Sequence, residues 1–236
     1  SYPGVTNKLL APKAKAICVA YEGLERYFPQ DKIIMTGNPV RKDLEECNLT
    51  REEAKKELGF DPTRPLILSV GGSLGARTVN EAIAASLDAI AASGAQLMWQ
   101  TGRYGADEFQ GLANGYDNVK ATTFITRMDL AYRAADLVVS RAGAGTISEL
   151  QILGKPVILI PSPNVAEDHQ RHNAEALSTR GAAVMILDKD AVAQLPATIT
   201  RLLDDEKARE QLSAEITGMA MRDSDEKIVD IINKCI

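Results

Sequence analysis

Residues 69–83 read SVGGSLGARTVNEAI. An apolar run, LILSV at 66–70, ends in a glycine-rich turn, and an amphipathic pattern follows at once. Val79, Ile83, Leu87 and Ile90 share one helical face, and Gly94 supplies the stop. The stretch VVSRAGAGTISEL at 138–150 repeats the order of apolar run, glycine turn and helical pattern. A chain that passes twice from a buried strand through glycines into a helix is building βαβ units and a parallel sheet.

The pattern extends in both directions. Further apolar runs are ICVA (17–20), KIIMT (32–36), QLMWQ (96–100), NVKATTF (118–124), LVVS (137–140), VILIP (157–161) and AVMIL (183–187). They are apolar almost throughout, as strands covered on both faces should be. Between them lie helix signals. Thr50 and Glu53 have capping-box spacing with Gly59 as the stop, and Asp168 opens a helix that Gly181 closes. The fold class is therefore α/β, Rossmann-like, with helices on both faces of a parallel sheet. From Asp190 onward the pattern is helical, and Ile228, Ile231, Ile232 and Cys235 form an apolar stripe. The Gly and Pro of GNPVRKD (37–43) mark a hinge that sets the first 37 residues apart.

A net charge of −5 over 236 residues argues against a nucleic-acid partner. Cys18, Cys47 and Cys235 have no metal or redox spacing and suggest a reducing compartment. No apolar run reaches the roughly 18 residues of a membrane span, and no signal peptide is evident. The opening SYPGVTNK has no initiator Met, which reads as a fragment.

In open parallel sheets, ligands bind beyond the carboxyl ends of the strands. Glycine lets the backbone approach a ligand, and the helix that follows offers free N–H groups and the positive end of its dipole. The two turns are thus either anion sites or tight packing turns. GGSLGAR lacks the Lys-Ser/Thr of a P-loop. The strand after it runs into MWQTGRYG without the acid that a dinucleotide ribose needs. In the second turn, Thr146 and its neighbouring amides suit a phosphate and Glu149 suits a ribose diol. Thr146 and Glu149 are equally spaced as a capping box. Arg141 either meets an anion or lies on the surface. His169, Gln170 and Asn173 open a polar helix suited to sugar hydroxyls. His169 and His172 have no obvious third metal ligand, and DKD (188–190) reads as an N-cap leading into a helix.

Taken together, GNPVR, GGSLGAR, RAGAGTISEL, GKPVILIPSP and DHQRHNA, in this order and spacing, resemble the MurG family of peptidoglycan glycosyltransferases. SYPGVTNKLLA resembles the end of that family's N-terminal domain. The resemblance implies a two-domain GT-B fold. Residues 1–37 would end the acceptor domain, 38–222 would bind the donor, and 223–236 would return toward the N-terminal domain. It implies an inverting transfer of N-acetylglucosamine from UDP-N-acetylglucosamine to the C4 hydroxyl of lipid I. The enzyme would be peripheral on the cytoplasmic face of the inner membrane, with no cofactor or metal.

Carried over by motif, Arg41 and Ser73 would contact the diphosphate. Ile125 would meet the uracil through its backbone, with Met128 nearby. Ala144, Gly145 and Thr146 would line the phosphates, and Glu149 would bind the ribose. His169 and Gln170 would bind the sugar, and Gly72, Asn80, Arg141 and Asn173 would support the site. The family's N-terminal glycine loop, with its histidine base, has no counterpart in the sequence, so no catalytic residue is assigned. The C-terminal stripe must then lie on residues 1–37, meet another copy or fray. Another GT-B UDP-sugar enzyme, such as an epimerase, and a non-catalytic UDP-sugar-binding module are the competing readings.

Overall fold

A computed structural model describes residues 3–235; Ser1, Tyr2 and Ile236, at the ends of the expected segments 1–37 and 223–236, lie outside them. β1 (Ile17–Val19) and β2 (Ile33–Met35) pair in parallel as a small sheet. The main sheet comprises β3 (Leu66–Val70), β4 (Gln96–Gln100), β5 (Val119–Thr122), β6 (Leu137–Ser140), β7 (Val157–Leu159) and β8 (Val184–Met185). Its order is β5-β4-β3-β6-β7-β8, parallel throughout. Each strand falls within an apolar run of the sequence, trimmed where its partner ends. Thus β5 stops at Thr122, opposite Gln100, the last residue of β4.

The helices among the described residues are α1 (Val5–Leu10), α2 (Lys42–Glu45), α3 (Arg51–Glu57), α4 (Arg77–Ala92), α5 (Ala106–Ala113) and α6 (Met128–Ala134). They continue as α7 (Ala144–Leu153), α8 (His169–Ser178), α9 (Ala191–Asp204), α10 (Glu206–Gly218) and α11 (Ser224–Cys235). Strand side chains alternate between two cores, as a period of two requires. Ile67, Val139 and Ile158 pack with α4, α5 and α9, whereas Leu68, Val138 and Leu159 pack with α6, α7 and α8. Both faces are covered, which explains why the strands read as continuous apolar runs. At α3 the capping box forms: Glu53 N–H donates to Thr50 Oγ1 at 3.2 Å, and Thr50 N–H donates to Glu53 Oε2 at 2.8 Å.

Residues ahead of the GNP turn hold a small apolar cluster of their own around Ala11, Val19, Leu24 and Phe28. The C-terminal helix lies beside it. Lys15 Nζ donates to the carbonyl of Cys235, and Gly37 packs against Met221 and Ser224. Ile228, Ile231 and Cys235 are half-buried, while Ile232 is 51% exposed. The helix therefore meets the N-terminal segment at Lys15 and Gly37, through its own two ends. No described helix is long and apolar enough to cross a membrane.

Candidate functional site

The sheet order places its switch between β3 and β6. β4 and β5 extend from β3 on one side, and β6, β7 and β8 on the other. Connections leaving two such neighbours depart to opposite faces and open a crevice beyond the strand ends. Here those connections are the two glycine turns: α4 follows β3 onto one face, and α7 follows β6 onto the other.

The first turn is held by backbone contact. A Cβ on Gly102 would overlap the nitrogen and Cα of Gly75, so the turn after β4 presses directly on the turn after β3. Both glycines also have positive φ, +75° and +88°. Gln100 Nε2 donates to the carbonyl of Gly72 at 3.2 Å. Asn80 pins α4 to β4, donating to Thr101 O at 2.8 Å and accepting from Trp99 Nε1 at 2.9 Å. Gly72 and Ser73 stand exposed at the tip. No side chain caps α4, and its first bonded amide is Asn80, to Ala76 O at 2.9 Å. The amides of Arg77, Thr78 and Val79 thus find no backbone acceptor among the described residues.

At the second turn the sequence offered a capping box, and the structure corrects it. Gly143 is the N-cap of α7 and supplies no side chain. The helix starts earlier than that spacing suggests, so Thr146 lies within its first turn and Glu149 in its second. Ile147 N–H donates to Gly143 O at 2.9 Å, which leaves the amides of Ala144, Gly145 and Thr146 uncapped. Asn173, buried on α8, donates to Ala142 O at 3.0 Å and fixes the turn from below.

Glu149 is instead held by Tyr132. The phenol on α6 donates to its Oε2 at 3.0 Å. Burial pushes the Glu149 carboxyl above its ordinary value, while the Tyr132 hydrogen bond and the charge of Arg41 pull it back. Burial, with Glu149 beside it, pushes the Tyr132 phenol well up. Met128 opens α6 one turn before Tyr132, and the buried Ile125 precedes it in the same connection. The expected uracil and ribose contacts are therefore joined through one short helix. Arg41 is exposed and pairs with Asp43 at 3.6 Å.

Arg141 does not lie loose on the surface. Its Nη1 donates to Ile160 O at 3.1 Å and to Asp188 Oδ1. The reading of DKD as a cap is corrected accordingly. Asp190 occupies the N-cap position of α9 but makes no side-chain cap bond. Asp188 is the acid in use, accepting also from Thr78 Oγ1 at 3.0 Å. Asp168 likewise stands at the start of α8 without capping it, at φ +50°.

His169 and Gln170 lie after β7, on α8. His169 Nδ1 sits 2.9 Å from Ala166 O. A carbonyl only accepts, so Nδ1 is the donor in this contact. Gln170 Oε1 accepts from Ser162 N–H at 3.0 Å, which turns its amide NH2 outward from that bond. His172 Nδ1 faces Glu175 at 3.7 Å. A cavity of about 770 Å³ opens between α8 and residues 20–38. His169 and Asn173 line it, whereas Arg41, Ser73, Ile125 and Glu149 do not. The N-terminal side of this cavity is tied to α7, because Tyr21 OH donates to Ala144 O at 3.3 Å and Asn38 Nδ2 to Ser148 Oγ at 3.0 Å.

Gln100, Tyr132, Thr78 and Asp188 were not singled out in the sequence as parts of this crevice. Only Gln100, a polar residue closing an apolar strand, carried a local sign.

Residues 66–228 match the glycosyltransferase family 28 C-terminal domain. Over its whole length the chain is 56% identical to a Parabacteroides distasonis protein and 46% identical to one from Flavobacterium psychrophilum. Both are named UDP-N-acetylglucosamine–N-acetylmuramyl-(pentapeptide) pyrophosphoryl-undecaprenol N-acetylglucosamine transferase. The chain spans 65% and 64% of their lengths. The crystal structure of Acinetobacter baumannii MurG superposes with a TM-score of 0.74 at 26% identity, covering 98% of this chain and 64% of that one. The architecture is accordingly of GT-B type, and the chain belongs to glycosyltransferase family 28.

Proposed function

We propose that this chain binds UDP-N-acetylglucosamine in the crevice between β3 and β6 and serves as the donor half of an inverting N-acetylglucosaminyltransferase. The observation that carries the reading is the pair of uncapped helix N-termini at the sheet's switch point. Six backbone amides and two helix dipoles there suit a diphosphate, with Ser73, Ala144, Gly145 and Thr146 around it. Glu149, steadied by Tyr132, accepts from the ribose hydroxyls. The backbone at Ile125, with Met128, meets the uracil. Gln170 and His169 reach the sugar, and Arg41 adds a cation at the exposed rim.

The acceptor in this reading is lipid I. Its C4 hydroxyl attacks the anomeric carbon as the bond to the diphosphate breaks, and a base takes the hydroxyl proton. The uncapped amides and Arg41 stabilise the charge that gathers on the departing UDP. Neither the base nor the acceptor cleft is assigned to these residues. Both belong to the further third of the length found in the relatives. We assign 1–37 to the end of the acceptor domain, 38–222 to donor binding and 223–236 to the returning helix, with the whole enzyme working at the cytoplasmic face of the inner membrane.

Calorimetric titration with UDP-N-acetylglucosamine, UDP and ADP tests the reading. Uridine nucleotides should bind at least tenfold more tightly than ADP. Equal affinity for ADP and UDP would sink the uridine assignment.

A further inference from the structure

One carboxylate joins the second glycine turn to the helix that leaves the first. Asp188 follows β8 at the edge of the sheet. Its Oδ1 accepts from Arg141, which belongs to the second glycine turn. Its Oδ2 accepts from Thr78 at 3.0 Å, in the uncapped first turn of α4, the helix that leaves the first glycine turn. Arg141 also reaches Ile160 O at the end of β7. Asp188 and Arg141 together thus link the carboxyl ends of β6, β7 and β8 with the helix that leaves β3.

The pair is well shielded, with side chains 17% and 19% exposed. A guanidinium carries five N–H donors. Those on Nε and Nη2 have no partner among the described residues. A partly buried cation clamped at one end, with its other donors unpaired beside two uncapped helix ends, is arranged for an anion.

We propose that Asp188 is a positioning residue for the donor diphosphate, setting the orientation of Arg141 and the spacing between the two glycine turns. This rests on the reading of the crevice as a nucleotide site. Asp188 itself, an anion, does not touch the phosphates. It acts by holding the groups that do.

The test compares UDP with uridine, which lacks the diphosphate, on the wild-type chain, Asp188→Ala and Asp188→Asn, each checked by circular dichroism and melting temperature. Asp188→Ala should weaken UDP at least tenfold and change uridine less than twofold. Asp188→Asn keeps the shape and one good acceptor, and should fall between. If Asp188→Ala does not fold, the near-isosteric Asn variant carries the test, with at least a threefold selective loss of UDP. Equal losses for UDP and uridine would mark a general packing role and overturn the proposal, as would unchanged UDP binding. A wild-type chain that fails to bind UDP would refute the nucleotide reading itself, and this inference with it.

Discussion

The hydroxyl of Tyr132 donates to Oε2 of Glu149 at 3.0 Å, joining α6 to α7 beneath the second glycine turn. Burial raises the Glu149 carboxyl, so its charged form costs the fold something at neutral pH. Glu149→Gln keeps an acceptor for Tyr132 and removes that charge. The variant should melt no lower than wild type at pH 7, yet bind UDP more weakly by about 1.5–3 kcal/mol, the value of hydrogen bonds to a charged group. The sign follows from the shift: the benefit of removing the charge is present above the raised carboxyl pKa and fades below the ordinary one. Calorimetry and melting curves at pH 7 and pH 4 check both halves.

Gly102 should be intolerant of even one methyl group. A Cβ there meets the backbone of Gly75, and φ is +75°. Gly102→Ala should destabilise by about 1–3 kcal/mol, the range for a residue held in a strained backbone region. It should also weaken UDP about tenfold, because the displaced turn carries Gly72 and Ser73. A variant with wild-type UDP affinity would show that the first turn does not bind the nucleotide.

At the opposite, amino ends of the strands, Asp136 accepts from Leu66 N–H at 2.8 Å and pairs with Lys55 at 2.7 Å and Arg51 at 2.6 Å. Burial alone would raise its carboxyl. Lys55, the Leu66 amide and Arg51 outweigh burial and hold it below the ordinary value. Its contribution is present above the unfolded carboxyl pKa and is lost as pH falls through the lower folded one. Asp136→Asn leaves the Lys55 ammonium buried without its counter-charge and should cost about 3–5 kcal/mol. UDP affinity should not change, which separates this cluster from the crevice.

Lys155 is buried with its amine donating to Arg133 O at 3.2 Å and Ala135 O at 3.0 Å, at the end of α6. Burial lowers its pKa to about 7. Between there and the unfolded value of 10.5 the unfolded chain holds a proton that the folded chain does not. Stability from this group therefore rises with pH across that window. A neutral amine still has two N–H groups for the two carbonyls, so the site survives the change. Lys155→Met should flatten the rise in denaturation free energy between pH 7 and pH 10. An unchanged slope would show that the amine stays charged.

The central strands were legible because β3, β6 and β7 are buried along their whole length and so read as nearly continuous apolar runs, as at LILSV and LVVS. The α4 face and the Thr50 cap were legible because both depend on residues a few positions apart. Thr146 and Glu149 have the same cap spacing as Thr50 and Glu53 and yet form no cap. The chain leaving β6 is already helical at Ala144, so Gly143 takes the cap position by backbone alone. Tyr132 and Asp188, the partners that hold Glu149 and Arg141, were not legible as such. Tyr132 is 17 residues from Glu149, and Asp188 is 47 from Arg141 and 110 from Thr78. Such partners are set by which helices share a face of the sheet, and no local pattern encodes that.

The diphosphate end of the proposed site is made largely of peptide groups. An amide cannot be deleted by exchanging its side chain, so ordinary sequence drift around these two turns leaves the donors where they are. The vulnerable positions are the reverse of those in a site built from side chains: gaining a methyl at Gly75 or Gly102 is more harmful than losing a hydroxyl at Ser73. A saturation scan of residues 71–76 and 141–146 should therefore map tolerance by size and backbone freedom, with charge and polarity as secondary axes.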